Sequence, residues 1–141
     1  MKKKIFVITA AALAACILFG FAACSSGSGF WKASGIDTDL VEKVEIVNRG
    51  GAIKVVEGER LDSFMDELGK LSVSKDKNAY PDNDYDYYLK IYIKYVDGYV
   101  RYYLGQELTK VNMKSGIKEG FYVFADYDAA MQLVADYFYA E

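Results

Sequence analysis

The chain has no histidine, and its two cysteines, Cys16 and Cys24, both lie near the N-terminus. The missing imidazole removes the commonest general base near neutral pH and the commonest metal ligand. The missing downstream thiols remove cysteine nucleophiles, thiolate metal sites and disulfides from everything after Cys24. Carboxylates and lysines can still do chemistry. None of the 20 acidic side chains falls in a recognisable catalytic motif, however, so the chain reads as a non-enzyme with no catalytic residue and no cofactor. Gly50-Gly51 and the stretch from Gly116 to Gly120 lack the strand–loop–helix setting of a phosphate loop. Basic charge is also scarce. Setting aside Lys2, Lys3 and Lys4 leaves 14 basic side chains against 20 acidic ones, a net charge of −6. That balance argues against nucleic acid, which calls for a basic patch, and against an electrostatic grip on anionic lipid.

The N-terminal segment is built differently from the rest. Lys2 to Lys4 form a cationic start, Ile5 to Phe21 is apolar and uncharged, and Ala22-Ala23 is a small pair before Cys24. This is the layout of a secretory signal: the lysines stay on the cytoplasmic side while the apolar run enters the bilayer. Phe21-Ala22-Ala23-Cys24 resembles the lipobox of bacterial lipoprotein signals, with Phe where Leu is commonest. The resemblance implies a diacylglyceryl group on the Cys24 thiol and cleavage just before it. Leu13-Ala14-Ala15-Cys16 matches the lipobox letters more closely. Lipidation at Cys16 would, however, leave a short apolar stretch and a mature chain opening on Ile17-Leu18-Phe19. Cys24 is followed instead by Ser25-Ser26-Gly27-Ser28-Gly29, a flexible, solvated linker. An uncleaved helical anchor is the remaining alternative, since the apolar run is long enough to just span a hydrocarbon core. The organisation expected is a signal over 1–23, a flexible tether over 24–35 and one domain over 36–141, lipid-anchored on the extracytoplasmic side of the membrane. Phe30 and Trp31 interrupt the tether; they either dock on the domain or dip into the headgroup layer, as interfacial Trp does.

Beyond the tether, two periodicities alternate. Val44 to Asn48 and Ala52 to Glu57 flank Asn48-Arg49-Gly50-Gly51, which predicts a β-hairpin. Leu61, Phe64, Met65, Leu68 and Leu71 recur at spacings of three and four, which predicts an amphipathic helix from Glu59. Ser72 to Asp84 reads as a loop. Tyr85 to Tyr95 alternates throughout, and Asp97-Gly98 suits a two-residue primed turn leading to a return strand, Tyr99 to Leu104. Leu108 to Met113 and Phe121 to Phe124 are shorter strand candidates, with a loop from Lys114 to Gly120 between them. Asp126 is an N-cap for a last helix bearing Ala130, Met131, Val134, Tyr137 and Phe138 on one stripe. The class is α+β: a mainly antiparallel sheet of hairpins with two helices on one face, in the order ββα-ββββ-α. In this coarse pattern the domain resembles small lipoproteins of Gram-positive bacteria, a resemblance that implies no activity.

All thirteen tyrosines lie between Tyr80 and Tyr139, and the strongest strand carries many of them. With helices covering one face, the other presents Tyr88, Lys90, Tyr92, Lys94, Arg101 and Tyr103. The primed turn sets Lys94 opposite Arg101 and Tyr92 opposite Tyr103. Tyrosine is also simply a good strand former, but a rigid ring with a polar tip suits recognition. Lys94 opposite Arg101 is repulsive unless an anion sits nearby. Such a face could take glycan rings, phosphate or carboxylate groups of a cell-wall polymer, or a protein partner. The leading expectation is therefore a non-enzymatic binding or accessory role at the envelope. One alternative is an inhibitor or immunity-type lipoprotein presenting the loop from Asp76 to Asp86; the other is a carboxylate-based hydrolase. Asp82, Asp84 and Asp86 resemble the start of a calcium loop, but Tyr87 stands where glycine is needed and Ile93 where glutamate is, so no metal site is expected.

Overall fold

The computed structural model describes residues 28–75, 85–105, 108–112 and 117–141. In it the alternating segments pair into one eight-stranded sheet, antiparallel at every junction. In chain order the elements are β1 (Ser28–Gly29), α1 (Phe30–Ser34), β2 (Val41–Asn48), β3 (Ile53–Val56), α2 (Glu59–Gly69), β4 (Ser72–Lys75), β5 (Tyr87–Ile93), β6 (Tyr99–Leu104), β7 (Leu108–Asn112), β8 (Ile117–Phe124) and α3 (Tyr127–Tyr139). Side by side the strands run β1-β4-β8-β7-β6-β5-β2-β3. Consecutive strands from β5 to β8 are neighbours, as hairpin chemistry dictates. The α2 crossover carries the chain from the β3 edge to β4, beside the opposite edge. The α+β class is the one the sequence indicates, with β1, α1 and β4 added to the expected order.

Period-two alternation sorts the sheet into two faces. Val44, Ile46, Val56, Leu89, Ile91, Tyr102, Leu104, Val73 and Phe124 turn to one side and form a single buried cluster with Leu61, Phe64, Met65 and Leu68 of α2 and Ala130 and Val134 of α3. Asp126 caps α3, its carboxylate accepting from the Ala129 amide at 3.0 Å. The C-terminal end of α3 reaches the β3 edge, where Lys54 Nζ donates to the Ala140 carbonyl at 2.6 Å.

The expected tether is shorter than its composition suggests. Ser28–Gly29 pairs with β4, and Phe30 and Trp31 take the docked option. The Phe30 ring meets Trp31 edge-on at 4.9 Å, Tyr102 at 5.0 Å and Phe124 at 6.3 Å. Trp31 Nε1 donates to the Met65 carbonyl at 2.7 Å, so the indole is buried with its polar atom satisfied. Close backbone approach makes this possible. A Cβ on Gly29 would lie 2.6 Å from the Gly69 carbonyl oxygen, and one on Gly69 would lie 2.9 Å from Trp31 Cδ1. The folded unit therefore begins by residue 28, not at 36.

Three other expectations change. Ser72–Lys75 is a strand within the expected loop, because Val73 is buried and the segment fills the gap between β1 and β8. The β8 strand starts at Ile117, inside the stretch expected as a loop, with a register shift between Lys110 and Val111 on its partner. The β5–β6 register also moves. Lys90, not Lys94, lies opposite Arg101; Tyr88 lies opposite Tyr103; Tyr92 lies opposite Tyr99. The cause is a competing long-range bond. Lys94 N donates to the Leu40 carbonyl at 2.8 Å, which draws the end of β5 towards β2, and Val96 N folds back to the Ile93 carbonyl at 3.4 Å. Tyr95 then turns the corner in the left-handed region at φ 65°, where a non-glycine residue is uncommon. The displacement keeps the parity of the strands, so the side chains within β5 and β6 stay on the faces expected of them, while Tyr85, Lys94 and Tyr95, outside the strand, leave theirs.

Candidate functional site

The face of the sheet opposite the helices is assembled from three rows fixed by backbone register. One row is Val47, Tyr88, Tyr103 and Thr109; the next is Glu45, Lys90, Arg101 and Val111; the third is Lys43, Tyr92 and Tyr99. The structure thus brings together Tyr88, Lys90, Tyr92, Arg101 and Tyr103, and adds Lys43, Glu45, Tyr99 and Tyr85. Tyr85, just ahead of β5, lays its ring against Tyr103 at 4.9 Å and Tyr88 at 5.8 Å.

Arg101 is the centre of this surface. Its Nη1 donates to the Tyr103 hydroxyl at 2.7 Å and its Nη2 to the Tyr99 hydroxyl at 2.8 Å. The guanidinium also lies 4.9 Å from the Tyr88 ring centre, 5.5 Å from Tyr99 and 5.6 Å from Tyr103, within cation–π range. Burial works against its charge, but the two hydroxyl acceptors more than offset that and hold its pKa above the ordinary value. Among the described residues Arg101 has no carboxylate partner. Two of its terminal N–H bonds are spent on neutral oxygens, and its positive charge is left uncancelled.

The lysines are arranged otherwise. Glu45 lies 3.4 Å from Lys43 and 3.9 Å from Lys90, and it accepts from the Tyr92 hydroxyl at 3.0 Å. Lys43 sits 4.4 Å above the Tyr92 ring and Lys90 5.0 Å above the Tyr99 ring. Burial, then the bond to Glu45, push the Tyr92 phenol up to about 12. Lys43 and Lys90 therefore share one acid in this layer, while Arg101 is held by ring faces and hydroxyls. The chemistry on offer is capture of an oxyanion beside aromatic faces.

No protein-family model matches this chain, and neither a curated protein nor a solved structure does. What the domain can do is read from its own side chains alone.

Lys94 does not belong to the face. It lies in the β5–β6 turn and lines an open groove of about 640 Å³ together with Trp31, Asp39, Asp62, Asp66 and Lys70. Lys70 pairs with Asp66 at 3.0 Å. All three aspartates are exposed, and among the described residues no acidic cluster could hold a metal ion. Of the aspartates that resemble a calcium loop, Asp82 and Asp84 lie outside the described residues, and Asp86 pairs with Arg49 at 3.5 Å. Cys24 and most of the segment from Asp76 to Asp86 also lie outside them.

Sequence reasoning missed Lys43, Glu45, Tyr85 and Tyr99 as members of the site. Tyr99 alternates with Arg101 and Tyr103 and was within reach of the pattern. Lys43 and Glu45 join only because β2 pairs with β5, a long-range choice without a local signal.

Proposed function

We propose that this chain is a lipid-anchored envelope protein whose extracytoplasmic domain binds an anionic cell-envelope polymer on its tyrosine–cation face. The observation that carries the reading is Arg101: a half-buried guanidinium among three tyrosine rings, opposite Lys90 and without a carboxylate partner among the described residues. Like charges directly across a strand pair are destabilising, and an oxyanion laid across them removes that cost. The aromatic layer supports the same reading. Tyr88, Tyr92, Tyr99 and Tyr103 are held by their neighbours, so little rotamer freedom is lost when a polymer settles on them. The net charge of the domain argues against general attraction to polyanions, so binding would be local to this face. The lipid on Cys24 would hold the protein at the surface, and the face would supply the contact.

The test is co-sedimentation of the purified protein with envelope polymer, in the wild type and in Tyr92→Ala with Tyr103→Ala. Expected is retention of the wild type and a loss of about tenfold or more in affinity for the double variant, which still unfolds cooperatively. Equal retention of both proteins removes this surface as the binding site.

A further inference from the structure

Among the described residues, two buried polar atoms on the open face have no hydrogen-bond partner: Arg101 Nε and Thr109 Oγ1. They are neighbours. Thr109 pairs with Tyr103 and Val111 with Arg101, so Thr109 lies diagonally from Arg101 on the adjacent strand and on the same face. Diagonal neighbours stand about 7–8 Å apart at the backbone, close enough for long side chains to meet. Thr109 is 3% exposed. A buried threonine hydroxyl ordinarily finds an acceptor or donor, and leaving it unmade costs the full desolvation of the group. A guanidinium N–H left alone is costlier still, because it carries charge. Two such groups side by side point to a missing oxygen.

We propose that Arg101 Nε and Thr109 Oγ1 form a subsite for one phosphate oxygen, and that the ligand of this face is a phosphodiester. The inference rests on the polymer-binding reading and names the group that is recognised. The geometry separates the roles. Tyr103 and Tyr99 already accept from Nη1 and Nη2, and this fixes the plane of the guanidinium. Of the five guanidinium N–H bonds these use one on each Nη, and Nε–H is the buried one without an acceptor among the described residues, so an oxygen is taken there and the threonine hydroxyl donates the second bond. Lys90, directly opposite Arg101, adds charge without occupying the subsite. Glu45 offsets Lys90 and Lys43, and among the described residues no carboxylate pairs with Arg101. A singly charged diester oxygen suits one permanent cation with one hydroxyl.

Inorganic phosphate is the probe, added to the full chain in non-ionic detergent against chloride at equal ionic strength. Thermal stability and the Arg101 Nε–H resonance are the readouts. Expected is a phosphate-specific rise in Tm with a shift of that resonance. Thr109→Val, which keeps the side-chain shape, should weaken phosphate about tenfold, and Arg101→Lys, which keeps the charge but lacks Nε, should weaken it at least as much. A wild type indifferent to phosphate overturns the subsite, as does a rise that persists unchanged in both variants. Thr109→Val that simply gains stability with no change in phosphate response also overturns it, because the hydroxyl was then only an unpaired group. Soluble poly(glycerol phosphate) and phosphatidylglycerol vesicles, competed against inorganic phosphate, separate a polymer source from a headgroup source. Phosphate binding with displacement by vesicles alone keeps the subsite and removes the polymer reading. Polymer binding with no phosphate response does the reverse.

Discussion

Glu45 accepts from one phenol and lies within reach of two ammonium groups, so a change there moves several neighbours at once. The phenol of Tyr92 is held protonated by burial and by that carboxylate, with its pKa up at about 12 against 10.0 in the unfolded chain. The sign follows directly. The stabilisation is complete below pH 10, declines as pH rises through the interval, and is gone above about 12. Glu45→Gln removes the charge that resists phenolate formation, so the Tyr92 midpoint should fall towards the ordinary tyrosine value. Carbon NMR titration of labelled tyrosine, with Tyr92→Phe to assign the signal, reads this. A Tyr92 that titrates normally beside an intact Glu45 sinks the account. At this scale the sequence was informative in part. Alternation put Tyr88, Lys90, Tyr92, Arg101 and Tyr103 on one face regardless of register, because a displacement that preserves parity leaves faces unchanged. Lys94 left the group because its backbone amide found the Leu40 carbonyl, a partner more than fifty residues upstream that no local pattern reveals.

Among elements, α1 departs furthest from what composition implies. A serine–glycine run reads as solvated linker, yet its Gly29, with Gly69 of α2, is what lets Phe30 and Trp31 approach α2 so closely. Phe30→Ala should cost about 3–5 kcal/mol of stability through the cavity left beside Tyr102 and Phe124, measured by denaturant unfolding. Gly29→Ala should also destabilise, since its Cβ would meet the Gly69 carbonyl at 2.6 Å. If both variants unfold with the wild type, α1 is an ornament and the expected tether stands. The helices α2 and α3 were legible because their apolar stripes are long and regular. The strand β4 was not, since Ser72–Lys75 offers one buried apolar residue, Val73, and pairs only across long sequence distances. The Asp97-Gly98 turn was misjudged for a related reason. A favoured local turn competes with tertiary bonds, and here Tyr95 accepts a left-handed backbone instead.

For the molecule as a whole, hairpin order and helix stripes sufficed to give the α+β class, while the strand order of the sheet needed the crossover through α2. Among the described residues no helix is long and apolar enough to cross a membrane; on the proposed reading the lipid on Cys24 attaches the protein. Intact mass of the protein from its native membrane, beside Cys24→Ala, checks this. Expected is a chain beginning at residue 24 with a diacylglyceryl adduct that the variant lacks. A mass retaining Met1 to Ala23 removes the lipoprotein proposal. The adduct's presence would also hold the folded unit close to the membrane, since the linker from Cys24 to Ser28 spans at most about 14 Å.

The docking of Phe30 has a mechanical consequence. Tension applied at residue 28 meets almost no slack: it first opens the two-residue β1 ladder against β4, then bears on a ring packed between Trp31, Tyr102 and Phe124. Tyr102 and Arg101 are consecutive on β6, one facing each side of the sheet. A load on the anchor is thus delivered to the strand that carries the proposed binding residue. Resistance to it is set by the rate of unfolding rather than by equilibrium stability.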